Sequence, residues 1–132
     1  MKKIFTIVAC LTVALLAFSS CEKTGEVGKV TYVLNTYTNA LNNEDIPAWQ
    51  AIEKNYTSEL EAVKGVSREA GKKFVMEGNY SQCDRAIKAA CIVAEHNSAS
   101  YTLKSGFTLE VTAAYAVGEV SSATIYSHKF GN

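Results

Sequence analysis

FTLEVTAAYAV, residues 107–117, alternates large apolar side chains with polar or small ones along its whole length. Phe107, Leu109, Val111, Ala113, Tyr115 and Val117 share one parity, and Thr108, Glu110, Thr112, Ala114 and Ala116 the other. A period of two sustained over this length is the pattern of a half-buried β-strand. Gly118-Glu119 follows and fits a two-residue type II′ hairpin turn, which takes glycine first because that position needs a positive φ. Such a turn places Val117 opposite Val120, Val111 opposite Tyr126, Leu109 opposite His128 and Phe107 opposite Phe130. The reverse face would carry Thr108, Thr112, Ala114, Ser121, Ala123, Ile125 and Ser127, with Thr112 opposite Ile125. A hairpin alone is marginally stable, so its large apolar face requires another strand or a helix to cover it.

The residues upstream supply that cover. Residues 45–63 read as the strongest helix, because Ile46, Trp49, Ile52, Tyr56, Leu60 and Val63 recur at three- or four-residue steps. Asp45 is placed to cap it, Pro47 falls in the first turn, and Gly65 lies just past its end. Residues 81–95 read as a further helix with Cys83, Ile87, Ala90, Cys91 and Ala94 on its buried stripe. Ser81 and Asp84 resemble a capping box there. Residues 67–76 read as a shorter helix and 101–104 as a short extra strand. Residues 30–38 (VTYVLNTYT) are rich in β-branched and aromatic side chains and read as a strand with Val30, Tyr32 and Leu34 on one face. A helical stripe through Val30, Leu34, Tyr37 and Leu41 is the competing reading. The order strand, helices, strands predicts an α+β domain: an antiparallel sheet of three or four strands with two or three helices packed on one face.

The beginning of the chain has a different character. Met1-Lys2-Lys3 is basic, residues 4–18 are almost wholly apolar, and Ser19-Ser20 puts small residues before Cys21. Those are the three parts of a secretory signal. Fifteen helical residues would reach roughly 22 Å, short of the ~30 Å hydrocarbon core that a membrane anchor must cross. Phe18-Ser19-Ser20-Cys21 resembles the lipobox of bacterial lipoproteins, with Phe18 where that family usually has Leu. The resemblance covers only this segment. It implies cleavage before Cys21 and acylation of its thiol, with secretion after cleavage at Ala17-Phe18-Ser19 as the alternative. Two or three acyl chains would anchor the protein stably. Residues 1–20 are thus expected to be a cleaved signal, 21–29 a lipidated tether, and 30–132 a single α+β domain. Glu22, directly after the cysteine, resembles the acidic signals that send some bacterial lipoproteins to the outer face of the outer membrane. The expected location is the cell envelope, lipid-anchored, with the outer membrane favoured.

Composition narrows the function further. The whole chain carries 13 basic and 13 acidic residues, and loss of Lys2 and Lys3 with the signal leaves the remainder slightly acidic. Without a basic cluster, nucleic acid is not an expected partner. Cys83 and Cys91 are the thiols left in the domain. An oxidising compartment favours a disulfide between them. Eight residues along one helix separate them by about 12 Å of rise, beyond the ~7 Å that a bridge tolerates. The helix reading therefore predicts two buried free thiols.

Chemical motifs are sparse. His96 falls at a predicted helix C-terminus, where a cation suits the dipole. His128 falls on the apolar hairpin face, as a partly buried structural residue. Cys83, Cys91, His96 and His128 lack the close ligand pairs of structural zinc sites. Lys23-Thr24-Gly25 matches one triplet of the serine β-lactamases, but it lies in the tether without its companion motif. No catalytic residues, metal or cofactor are expected. The seven tyrosines suit sheet faces and core edges; Tyr80 and Tyr101, at predicted loops, are the candidates for binding a partner. The leading expectation is a non-catalytic envelope lipoprotein that binds a partner protein or a surface glycan. The alternatives are a small envelope hydrolase, signalled by a concave site joining His128 to a carboxylate or thiol, and a structural or secretion accessory lipoprotein.

Overall fold

The computed structural model of the chain describes residues 26–118 and 121–131. The expected signal, Cys21 and Glu22 lie outside them, as do Glu119 and Val120 of the hairpin turn. Alternating residues 107–115 form β4 (Phe107–Tyr115), which pairs with β5 (Ser122–Phe130). The other strands are β1 (Val27–Tyr37), β2 (Ser67–Glu69) and β3 (Lys73–Asn79). The sheet is fully antiparallel in the order β2-β3-β1-β4-β5. Helix α1 (Ile46–Glu61) follows β1 after one 3-10 turn, Asn43–Asp45, and α2 (Tyr80–Asn97) follows β3 directly. The fold is α+β, as the alternation and helical stripes predict, with one more strand than expected.

β1 holds the centre. Tyr32 lies opposite Phe74 on β3 and Ala113 on β4, so one parity runs unbroken across three strands. On that face Val30, Tyr32, Leu34, Phe74, Met76, Leu109, Val111 and Ala113 are buried. The helices supply the opposing side of the core with Ile52, Tyr56 and Leu60 from α1 and Ile87, Cys91 and Ala94 from α2. Truncating a wholly buried aliphatic such as Ile87 or Leu109 to alanine should cost about 2–5 kcal/mol. The other parity of β1 and β4 is left open, as Thr31, Val33, Asn35, Thr108, Glu110, Thr112 and Ala114 are half-buried or exposed.

Several expectations need correction. Residues 67–76 are not a helix: they form β2, a turn at Gly71 with φ +76°, and the start of β3. Phe74 and Met76 point inward at a period of two, which the loose grouping of Ala70, Phe74 and Val75 concealed. Residues 101–104 form no strand; Leu103 is buried there as a plug. The cap of α2 is Asn79, whose side chain accepts from the Gln82 amide at 3.0 Å, rather than a Ser81–Asp84 box. β1 begins at Val27, inside the stretch expected to be tether.

The hairpin keeps its predicted register only in part. Phe107 faces Phe130, Leu109 faces His128 and Val111 faces Tyr126, as expected. A bulge then intervenes, and Thr112 faces Thr124 instead of Ile125. One extra residue reverses the parity of everything beyond it. Ala123 consequently lies opposite the buried Ala113, and Ala123 and Ile125 pack against the core instead of lining the reverse face. Tyr115 donates its backbone N–H to the Ser121 carbonyl at 2.8 Å, one residue off the two-residue-turn register. Gly118 has the positive φ expected of it, +108°.

Candidate functional site

Tyr80, expected at an exposed loop, is instead the first residue of α2 and has no exposed surface. Its ring lies beside Tyr115, with centroids 4.9 Å apart, and its hydroxyl accepts from the Val117 amide at 2.8 Å. Gly28 makes room for it, since a Cβ there would stand 2.6 Å from the Tyr80 hydroxyl. Tyr80 is a structural pin and reaches no partner from this position. Tyr101 is exposed, in the connection after α2. The two candidates are therefore not brought together.

Two polar clusters occupy the helix–sheet boundary. In the first, Asp84 is buried and accepts from the hydroxyls of Tyr32 and Tyr115, both at 2.6 Å. Burial, and then the hydrogen bond to Asp84, pushes the Tyr32 phenol well above its ordinary range. A buried carboxylate that accepts from two phenol hydroxyls ties β1 and β4 to α2.

The second cluster meets part of the signature set for a hydrolase. Glu95 Oε1 accepts from the Tyr126 hydroxyl at 2.7 Å and lies 3.5 Å from His128 Nδ1. The Tyr126 and Tyr56 hydroxyls are 2.6 Å apart. Cys91, on the same helix as Glu95, is wholly buried, and burial pushes its thiol up to about 12. Nucleophilic cysteines have lowered pKa values and access to solvent, and Cys91 has neither. His128 and Glu95 are each over a third exposed, and His128 packs edge-on against Phe130. The arrangement ties α2 to the edge strand β5.

Cys83 and Cys91 are both free and buried, as the helix spacing predicts. Among the described residues, no group of three or more His, Cys, Asp or Glu is placed to hold a metal ion. Asp45 does not cap α1 with its side chain; its carboxylate accepts from the amides of Lys104, Ser105 and Gly106 at 2.6, 2.8 and 3.4 Å. Those bonds, led by Lys104, hold its carboxyl below the usual carboxylate range. They also shape the connection before β4, where a pocket opens.

That pocket has a volume of about 240 Å³ and is lined by Tyr37, Thr38, Asn39, Ala40, Ser105, Gly106, Phe107, Thr108 and Lys129. Tyr37, Thr108 and Lys129 are neighbours across β1, β4 and β5 on the open face. Tyr37 is 51% exposed, and its hydroxyl donates to Glu110 at 3.0 Å. Thr38 donates to the Gly106 carbonyl at 2.9 Å, tying together two of the segments that line the pocket. An exposed aromatic with a polar tip, a cation and several hydroxyls, continuous with an open sheet, can hold a polar partner by stacking and hydrogen bonding. Sequence reasoning passed over Tyr37, although its odd position set it on the face opposite Val30, Tyr32 and Leu34. Comparison of the chain with family models, curated proteins and solved structures finds no match.

Proposed function

We propose that this chain is an envelope lipoprotein, anchored through acylated Cys21, whose domain binds a protein or glycan partner without transforming it. The observation that carries the binding role is the open face of β1 and β4, ending in the pocket beside Tyr37 and Lys129. The anchor rests on the charged start, the apolar run and Phe18-Ser19-Ser20-Cys21. A burial-neutralised thiol and a sealed Asp84 favour binding over hydrolysis.

Immobilised mature protein, challenged with solubilised envelope, tests this reading. Wild type should retain a discrete protein or saccharide, identified by mass spectrometry. Tyr37→Ala and Thr112→Arg should lose it, and Lys88→Glu on the exposed side of α2 should keep it. Turnover of ester, peptide or glycoside substrates by the wild type, abolished by His128→Ala, would replace this proposal with a hydrolase.

A further inference from the structure

The domain has two poles. β1 runs from Val27 at one to Tyr37 at the other, and its antiparallel neighbour β4 runs back from Phe107 to Tyr115. The pocket lies at the Tyr37 pole. At the Val27 pole, Tyr80 donates its backbone N–H to the Glu26 carbonyl at 2.9 Å, and Ala116 donates to the Lys29 carbonyl at 3.0 Å. The Val117 amide is held by the Tyr80 hydroxyl. The starts of β1 and α2 and the end of β4 are thereby tied into one rigid cluster. Val27 and Val117 project from it, 61% and 58% exposed.

We infer that this pole, through Val27 and Val117, rests in the interfacial layer of the lipid bilayer that carries the Cys21 acyl chains, so that the pocket points away from the membrane. The inference rests on the lipoprotein reading proposed above. Four residues separate Cys21 from Glu26, a reach below roughly 20 Å even for a fully extended chain. The eleven residues of β1 alone span about 35 Å. A lipidated Cys21 therefore keeps the Val27 pole beside the bilayer. Two valines exposed where the tether joins the domain would leave water by dipping into the interface. Glu26, Lys29 and Glu77 around them supply no cationic patch, so the contact is apolar in origin.

The test uses the full chain, processed and extracted from membranes, with Trp49, the single tryptophan, replaced by phenylalanine. Tryptophan is then introduced by Val117→Trp, by Val27→Trp or, at the opposite pole, by Leu41→Trp. Each protein is reconstituted into phosphatidylcholine vesicles with brominated acyl chains. Val117→Trp and Val27→Trp should lose most of their emission and shift to the blue, in about 1 M salt as well, where charges are screened beyond about 3 Å. Leu41→Trp should keep its intensity. Val27→Trp serves as the second reporter should Val117→Trp fail to fold. Equal quenching at all three positions, or stronger quenching at Leu41→Trp, in protein whose intact mass includes acyl chains on Cys21 would overturn the orientation while leaving the anchor in place. An intact mass without acyl chains would remove the anchor, and the orientation with it.

Discussion

The two faces of β1 and β4 share one backbone and one set of ladder hydrogen bonds, yet they have opposite chemistry. On the packed face, Tyr32, Leu34, Leu109, Val111 and Ala113 are sealed under the helices. Its polar atoms are paired internally, with the Tyr32 and Tyr115 hydroxyls both directed at Asp84. On the open face, Thr31, Val33, Thr108, Glu110 and Thr112 keep contact with solvent, and Tyr37 and Lys129 border a pocket. The difference teaches where function has room to sit. Polar groups on the packed face are committed to the fold, whereas those on the open face remain available to a partner.

The largest expected effect follows from moving a charge between these faces. Val111→Asp would bury an unpaired carboxylate and should cost about 3–5 kcal/mol of unfolding free energy. Thr112→Asp, one residue later, should cost less than about 1 kcal/mol. Urea unfolding of both variants checks this, and equal losses would break the distinction between the faces. Asp84→Ala comes next. It leaves two buried phenol hydroxyls without their acceptor and should cost about 2–4 kcal/mol. Combining it with Tyr32→Phe should cost less than the sum of the two single changes, because the partners are shared.

The packed face also dictates how the fold responds to alkali. Burial raises the Cys91 thiol from 9.0 to about 12, so the folded protein keeps a proton that the unfolded chain releases. The stability linked to Cys91 is complete below pH 9 and declines as the pH rises towards 12. Tyr32, Tyr56 and Tyr126, all raised first by burial, add to the decline once the pH passes the ordinary phenol value of 10.0. The urea midpoint should hold level up to about pH 9 and then fall. Cys91→Ala should flatten the fall between pH 9 and 10; an unchanged profile would show that the thiol is not sealed.

The smallest effect belongs to the margin between the two environments. His128→Ala removes a part-exposed contact with Glu95 and should change stability by about 1 kcal/mol or less. A much larger loss would mean that the Glu95 cluster belongs with the sealed interior.

Legibility in the sequence followed the range of the interactions. Period-two alternation in β4 and the stripes of α1 and α2 are local, and they carried the fold class, the helix faces and half of the hairpin register. The bulge left no such mark: Ala123 and Ile125 are both apolar and of the same parity, so nothing local signals that Ile125 is an extra residue on β5, between Tyr126 opposite Val111 and Thr124 opposite Thr112. Residues 67–76 misled because β2 has three residues, all exposed, and pairs only with its neighbour β3. Asp84 looked like a helix cap because its true partners lie 52 and 31 residues away. Tyr80 looked like a loop residue because the space it fills is opened by Gly28, far off in sequence. The candidate site was the least legible part. Tyr37, Thr108 and Lys129 meet only when β1, β4 and β5 assemble, although the parity of β1 already placed Tyr37 away from the core.

Photo-crosslinking in intact envelopes tests the central claim most directly. A photoreactive residue at Thr112, on the open face, is compared with one at Lys88, on the exposed side of α2. The account predicts one discrete adduct from position 112, weakened by Tyr37→Ala, and none from position 88. A discrete adduct from position 88 with none from position 112 would contradict it, placing the partner on the helices and leaving the open sheet without a role.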